Sequence, residues 1–359
     1  MTRKPNKTRR SAEDIVAKAA TKTSEIELSK ARGEIARWKR KHKAAVQEAA
    51  AQSDRAETAL GIGAHTPSVI SFEKSRVYSG MAAAIIPATD WHVEERVRPE
   101  QVNGKNSFDL AEAEKRIERF YSEGLRMIEE QCDPKIDEIW HPMLGDLMSG
   151  YIHEELEETN SLTPVETISF LQDMICSGLD LWIKKTKLPI FIPTCVGNHG
   201  RTTKKTRVKT RVRNSYEWLL YATLAKYYAK NPRVHWMIGE GYHNIQIIKS
   251  RLVRFHHGDG MRYQGGVGGI TIPVNKAVAA WDEIEQVDFD IFGHWHTFKV
   301  DYPKWIACGS LIGYSEFSLW IKAKFQHPTQ VFCVLDADYG IVRADPIFLT
   351  DPVRSQGRK

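Results

Sequence analysis

Five short stretches of this sequence gather side chains that bind metals and move protons: Asp90-Trp91-His92, Gly145-Asp146, Gly197-Asn198-His199, His256-His257-Gly258 and Gly293-His294-Trp295-His296. Two imidazoles separated by one residue, just after a glycine that lets the chain turn, are placed to ligate metal ions. Taken alone, each stretch is a weak signal. A lone His-x-His is more often a surface or core pair, Gly-Asp is a common turn, and many histidines are merely polar surface. Asn198 beside His199 is more informative, because asparagine is an uncommon ligand.

What joins the five is the chain that precedes them. Met81 to Ala88, Ile136 to Leu144, Leu188 to Val196, Leu252 to Phe255 and Val287 to Phe292 are apolar runs of strand length, so each motif is expected at the end of a β-strand. In open α/β sheets, active sites collect outside the carboxyl ends of the strands. The spacing between the runs predicts helices over 108–131, 163–185 (with Thr163-Pro164 and Glu166 as its start) and Tyr216–Tyr228. A short Glu-rich helix is expected over His153–Glu158. Further strands are expected over Val234–Ile238, Asn244–Ile248, Val331–Leu335 and Ile341–Leu349.

Directly after the third motif comes a charge run, with seven cations and no acid in the 13 residues from Arg201 to Arg213. Such runs are usually solvated. At the mouth of a site, Arg201, Lys204, Lys205 and Arg207 would instead meet phosphates of an anionic polymer.

At 359 residues, 42% hydrophobic and 27% charged, the chain has the composition of a globular protein with a substantial core. Its five cysteines are scattered and never paired as Cys-x-x-Cys. That speaks against a disulfide framework and a zinc ribbon, and for a reducing, cytoplasmic setting. No apolar run is long enough to cross a membrane, so no membrane partner is expected. Residues 1–60 carry 15 Lys and Arg against 8 Asp and Glu, a net of +7, while the remaining 299 residues carry −1. The basic excess therefore belongs to the N-terminal segment. Residues 1–24 read as a disordered basic tail, 25–68 as a helical arm and linker ending around Gly61-Ile62-Gly63, 69–350 as the main domain and 351–359 as a polar tail. Leu28, Ile35, Trp38 and Ala45 fall near a heptad seam, so residues 25–60 are expected either to be a solvated arm or to meet nucleic acid, a protein partner or a second copy.

The order DxH, GD, GNH, HG and GHxH resembles the calcineurin-like metallophosphoesterase superfamily over about residues 80–350. The resemblance implies a mixed α/β fold (α+β), a four-layer αββα sandwich with the metals on loops between two sheets. Carried over by position, Asp90 and His92 would bind a first metal and Asp146 would bridge to a second. Asn198, His257 and His294 would hold that second ion, and His296 would return to the first. His257 is preferred to His256 because it directly precedes the glycine; a strand one residue longer would reverse the choice. His199 would sit over the substrate phosphate without ligating. Mixed carboxylate, imidazole and amide donors suit two divalent ions of the Mn²⁺ type, with Fe or Zn²⁺ as alternatives, and not the all-oxygen shell of Ca²⁺.

Two departures stand out. Gly200-Arg201 follows GNH where an acid is common, removing a carboxylate that could orient His199, and Ser149 stands where the family's usual polar residue is expected three positions after Asp146. The sequence GNHGR, with Ile152-His-Glu-Glu-Leu156 after the GD motif and Gly309-Ser310-Leu311 after GHxH, looks like phage-borne members related to DNA repair exonucleases. The expected function is two-metal hydrolysis of phosphodiesters, with DNA as the favoured substrate. A phosphatase of small phosphoesters or phosphoproteins, and a non-catalytic scaffold, are the other readings.

Overall fold

A computed structural model describes residues 11–64, 80–262 and 269–351. The chain divides into two compact units, Met1–Ser75 and Arg76–Lys359.

The described residues of the first unit form one helix, α1 (Ala12–Ala64), rich in Ala, Glu, Lys and Arg and free of proline. It starts earlier than expected. Residues 12–24, expected as part of a disordered tail, are helical, with the Asp14 N–H capped by the Ser11 hydroxyl. Gly61 and Gly63, expected in the linker, continue the helix to Ala64. The expected tail at 1–10, linker at 65–68 and tail beyond 351 lie outside the described residues. Every α1 side chain whose burial is described is exposed, Leu28, Ile35 and Trp38 included.

In the second unit the first half alternates strand and helix: β1 (Ala82–Ile85), α2 (Leu110–Glu130), β2 (Ile136–Trp140), α3 (Glu154–Thr159), α4 (Pro164–Lys185), β3 (Ile190–Thr194), α5 (Tyr216–Tyr227) and β4 (Val234–Ile238). The second half is mostly strand: β5 (Asn244–Ile248), β6 (Arg251–His256), α6 (Thr271–Asp282), β7 (Phe289–Phe292), β8 (Lys299–Asp301), β9 (Trp305–Ala307), α7 (Glu316–Trp320), β10 (Thr329–Asp336) and β11 (Gly340–Phe348). One sheet runs β11-β10-β1-β2-β3-β4, the other β5-β6-β7-β9-β8. Within them β1, β2, β3 and β4 are parallel, as are β6, β7 and β9; β10, β11, β5 and β8 pair antiparallel.

The period of two along β1 shows how the layers form. Ala82 and Ala84 face a core shared with α2, α4 and α5, including Phe120, Leu171, Trp182 and Leu220. Ala83 and Ile85 face the opposite way, onto Val253, Phe255, Ile291 and Ile306 of the second sheet. The outer face of that second sheet is closed by α6, whose Val274 and Val278 pack on Phe292 and Trp305. The result is the expected four-layer αββα sandwich. Helix α4 begins in a capping box, the Thr163 hydroxyl accepting from Glu166 N–H while Glu166 reaches back to Thr163 N–H. Among the described residues no helix is long and apolar enough to cross a membrane.

One buried polar group in the helix-facing core makes stability depend on pH. His141 lies fully buried, its Nδ1–H donating to Ile86 O (2.7 Å) and its Nε2 accepting from Tyr121 O–H (3.1 Å). Burial disfavours the imidazolium and lowers its pKa to about 4. The folded pKa lies below the unfolded one, so the unfolded chain takes up the proton first as pH falls. The contribution of neutral His141 is therefore complete above about 6.5 and is lost between about 6.5 and 4, by up to about 3 kcal/mol. Urea unfolding of the wild type should weaken more steeply across that window than unfolding of His141→Gln; parallel pH profiles would rule this out.

Candidate metal centre

Strands β1, β2, β3, β6 and β7 each deliver one motif at their carboxyl ends. The loops after β1 and β2 are zipped together by Asp90 N–H to Gly145 O (3.1 Å) and by Trp91 and His92 N–H to Asp146 O (2.8 and 3.2 Å). Five of the expected ligands take left-handed backbone conformations: Asp90 (φ 53°), His92 (49°), Asp146 (52°), His294 (70°) and His296 (48°). Such conformations cost side-chain-bearing residues on the order of 1 kcal/mol or more each, and they persist where the surroundings over-determine them. Here the surroundings are the loops of the other motifs. The glycines are fitted to the same purpose: a Cβ on Gly197 would overlap Asp146 Oδ1, and one on Gly293 would overlap Thr89 Oγ1 and crowd Asp90 Oδ2.

The expected ligands converge in two clusters. Ligand atoms of Asp90, His92 and His296 lie within 4.8 Å of one another, and so do those of Asp146, His257 and His294. Asn198 joins the second, its Oδ1 being 3.1 Å from His257 Nε2. Each aspartate has one oxygen held by backbone N–H and one turned inward. Asp90 Oδ2 accepts from His294 N–H (2.7 Å), while its buried Oδ1 has no hydrogen-bond partner and stands 3.4 Å from His296 Nε2. Asp146 Oδ1 accepts from His199 N–H (2.7 Å), and Oδ2 lies 2.9 Å from His257 Nε2.

The histidines are anchored from behind. His257 Nδ1–H donates to Leu144 O (2.7 Å), and His92 Nδ1–H donates to Ser149 Oγ (2.7 Å), whose own proton goes to Glu95 Oε1 in a short contact. With Nδ1 protonated, the neutral tautomer bares Nε2, the form that ligates metal. His92 Nε2 then faces His296 Nε2 at 3.3 Å, and His257 Nε2 faces two oxygens. Lone pairs so aimed at one another repel unless positive charge lies among them. The donor set and the orphaned Asp90 Oδ1 therefore fit two divalent cations. The same demand shows in the pKa values: burial disfavours charging His257 and His92, yet carboxylates outweigh it, Asp146 and Asp90 raising His257 to about 10 and Glu95 raising His92 to about 9.

His199 stands at the edge of this group, its ring centroid 4.7 Å from that of His92 and perpendicular to it. Its Nδ1–H donates to Ser149 O (3.1 Å), so orientation comes from a backbone carbonyl and not from the acid missing after GNH. Burial holds His199 near pKa 4 despite Asp146. Burial likewise, with His257 beside it, lowers His294 to about 4.

Three supporting residues, Glu94, Glu95 and Glu217, went unnoticed in the sequence, and Ser149, noted there only as a departure from the family pattern, joins them. Ser149 and Glu95 orient His92 as described. Glu94 Oε1 accepts from Ser149 and Gly150 N–H (2.8 Å each), and Glu217 accepts from Leu147 N–H (2.8 Å) and Gly197 N–H (2.7 Å). Burial raises both Glu94 and Glu217 to about 7. Nothing in the residues flanking Glu94, Glu95 or Glu217 sets them apart from solvated acids, so no local signal marks them.

Two expectations change in detail. β6 runs to His256, one residue further than expected, yet His257 remains in the cluster. His256 points to the opposite face, stacked on Phe292 (5.0 Å between centroids) and 3.3 Å from Asp290. In the basic run, Arg201 is engaged by the loop itself, donating to Asn198 O (2.7 Å) and Thr203 O (3.1 Å), whereas Lys204, Lys205 and Arg207 are exposed. Arg211 bridges Asp259 (2.6 Å) to Val196 O (2.8 Å).

No protein-family model matches the chain, and no curated protein matches it. Similar solved structures include an archaeal phosphodiesterase (12% identity, 73% of this chain and 99% of that one, TM-score 0.33). A protein of Streptococcus pneumoniae described as a predicted phosphoesterase matches at 11% identity over 75% of this chain and 99% of its own, TM-score 0.30. Vps29 of Entamoeba histolytica complexed with Zn²⁺ matches at 12% identity over 74% of this chain and 99% of its own, TM-score 0.30.

Proposed function

We propose that this chain is a two-metal phosphoesterase that cleaves phosphodiester bonds of nucleic acid, DNA in the first place. The observation that carries the reading is the pair of adjacent clusters, five of whose residues are held in left-handed conformations with their bare nitrogen and oxygen atoms facing inward. Asp90, His92 and His296 would hold one divalent ion, Asn198, His257 and His294 the other, and Asp146 would be shared by both. Mn²⁺ is the favoured ion, with Fe or Zn²⁺ as alternatives. Two such ions, when bound, activate water near neutral pH and neutralise charge developing on the transferred phosphoryl group.

His199 supplies the proton chemistry. Its Nδ1–H is committed to Ser149 O, so only Nε2 is free to act. The arriving phosphate's negative charge raises the imidazole pKa, Nε2 takes up a proton, and that proton goes to the leaving oxygen as the P–O bond breaks. His199→Ala should therefore slow DNA cleavage by roughly 10²- to 10⁴-fold. It should slow hydrolysis of bis-p-nitrophenyl phosphate far less, because p-nitrophenolate leaves without protonation. Equal losses on both substrates would remove the acid role.

The nucleic-acid part rests on the exposed cations Lys204, Lys205 and Arg207 beside the centre, and on the net +7 of residues 1–60, which adds contacts blind to sequence. Residues 25–60 are also the segment offered to a protein partner or second copy. The narrower resemblance to phage-borne relatives of DNA repair exonucleases agrees with a DNA substrate and points to work in a host cytoplasm. End-labelled single- and double-stranded DNA incubated with Mn²⁺, and in parallel with EDTA, tests the proposal. Metal-dependent shortening supports it, and the label position gives the polarity. Turnover of p-nitrophenyl phosphate with intact DNA would favour the phosphatase reading, and inactivity on every ester with metal bound would leave a scaffold.

A further inference from the structure

Beside the second cluster lies a groove of about 510 Å³, within the size range of ligand sites, that combines fixed cations with aromatic rings. Tyr242 and Trp281 are among the residues that line it. Tyr242 is locked by its hydroxyl, which accepts from Gly260 N–H (2.7 Å), by the Arg211 guanidinium 5.4 Å over its ring and by the His256 ring stacked on it at 5.9 Å, which leaves its outer edge to the groove. Trp281 is buttressed by His256 (5.0 Å between centroids) and by Arg254 (5.4 Å). Five cations line the groove against two acids, Glu240 and Asp259, and these are paired with Arg213 (2.7 Å) and Arg211 (2.6 Å). Arg207, Lys209 and Arg262 have no carboxylate partner among the described residues, so the groove carries uncompensated positive charge. Its walls are built from the loops that also carry the centre. Arg207 and Arg211 also border a small cleft lined by Gly197 and Asn198, and Asp259 follows His257-Gly258 directly.

We propose that this groove binds the unpaired strand of a nucleic acid, with bases against Tyr242 and Trp281 and phosphates on Arg207, Lys209 and Arg262, leading the scissile bond to the metal centre. The inference rests on the phosphoesterase reading only for that last clause. Aromatic platforms flanked by uncompensated cations recognise single strands, whose bases expose their faces, whereas duplex bases stay stacked inside the helix. An acidic peptide would satisfy the cations and leave the rings unused.

The test is fluorescence anisotropy of a labelled oligo-dT of about 12 nucleotides with the full chain in EDTA, so that binding is read without turnover. The oligo-dT should bind at least tenfold more tightly than a duplex of the same length. Lys209→Glu combined with Arg262→Glu should weaken its binding tenfold or more and flatten the salt dependence by more than one unit of slope. Trp281→Ala should weaken it by roughly 5- to 150-fold. Because Trp281 is packed from behind, the surface charge reversals decide between the outcomes if that variant misfolds. Oligo-dT bound equally well by the charge-reversed protein, which would assign it to the basic arm, overturns the proposal. So does equal affinity for duplex, or no binding at all. Hydrolysis of bis-p-nitrophenyl phosphate by the wild type with Mn²⁺ is scored separately. Oligonucleotide binding without hydrolysis leaves the groove standing and removes the phosphoesterase, and hydrolysis without binding does the reverse.

Discussion

Asp146→Ala should abolish Mn²⁺-dependent hydrolysis of both DNA and bis-p-nitrophenyl phosphate, a fall on the order of 10⁴-fold, as when one member of a group that acts as a unit is removed. The aspartate does three things at once. Its backbone carbonyl closes the loop of Asp90 and His92, its Oδ1 fixes the backbone of His199, and its Oδ2 faces His257. Ala removes the last two, and Asp146→Asn separates shape from charge. An amide keeps the volume and an oxygen for His199 N–H, yet gives up the charge a pair of cations would share. Metal binding to the folded state raises stability by mass action, by about 2.7 kcal/mol at a hundredfold excess over Kd. The wild type should therefore gain several degrees in Tm on adding Mn²⁺, and both variants should lose most of that gain. A variant that keeps the Mn²⁺-induced gain but is inactive would move Asp146 from metal binding to some other role. One that keeps full activity would end the two-metal reading.

Much of this centre could be read from the chain because its logic is local. An apolar run that ends in a ligand type, three times through a glycine (Gly145, Gly197, Gly293), is a strand end with a turn, and five such ends are enough to place Asp90, Asp146, Asn198, His257 and His294 at one edge of the sheets. His257 illustrates how little depends on exact boundaries. The strand is one residue longer than expected, yet alternation still sends His256 to the outer face and leaves the next residue in the cluster. What could not be read is held together across large separations. Glu217 binds the backbone of Gly197 and of Leu147, 20 and 70 residues away, so its burial follows from how α5 packs and not from its neighbours in sequence. Glu94, Glu95 and Ser149 have the same origin, since a buried acid looks like a solvated one until the loop opposite supplies the N–H groups. Arg201 shows the opposite case: its charge suggested a phosphate contact, and two of its donors are also taken by Asn198 O and Thr203 O of its own loop, which the charge run alone does not reveal. The early start of α1 is a matter of composition. Residues 12–24 are polar, as tails are, but contain Ala, Glu and Lys and no proline, and nothing in them stops a helix.

Gly197→Ala should be nearly as damaging as loss of a ligand, although it adds a single methyl group and removes no donor. The Cβ would overlap Asp146 Oδ1 and crowd the Asp146 backbone nitrogen, neither of which can yield. Asp146 is held by His199 N–H and by the paired loop of Asp90, and Gly197 by Glu217, so the strain has to be released by moving the carboxylate away from His257. Displacement of a reacting group by about 1 Å can cost about 10²-fold in rate, and overpacking typically costs about 1–3 kcal/mol of stability. Activity on bis-p-nitrophenyl phosphate should fall by about that factor or more, and the Mn²⁺-induced rise in Tm should shrink, while the metal-free protein still unfolds cooperatively. Gly80→Ala is the matched control: a Cβ there meets nothing within 4 Å among the described residues, so it should leave both readouts where they are. If Gly197→Ala matches the wild type in rate and in its response to Mn²⁺, the loops carrying Asp146 and Asn198 are not rigidly apposed, and the cradle inferred between them does not set the geometry of the centre.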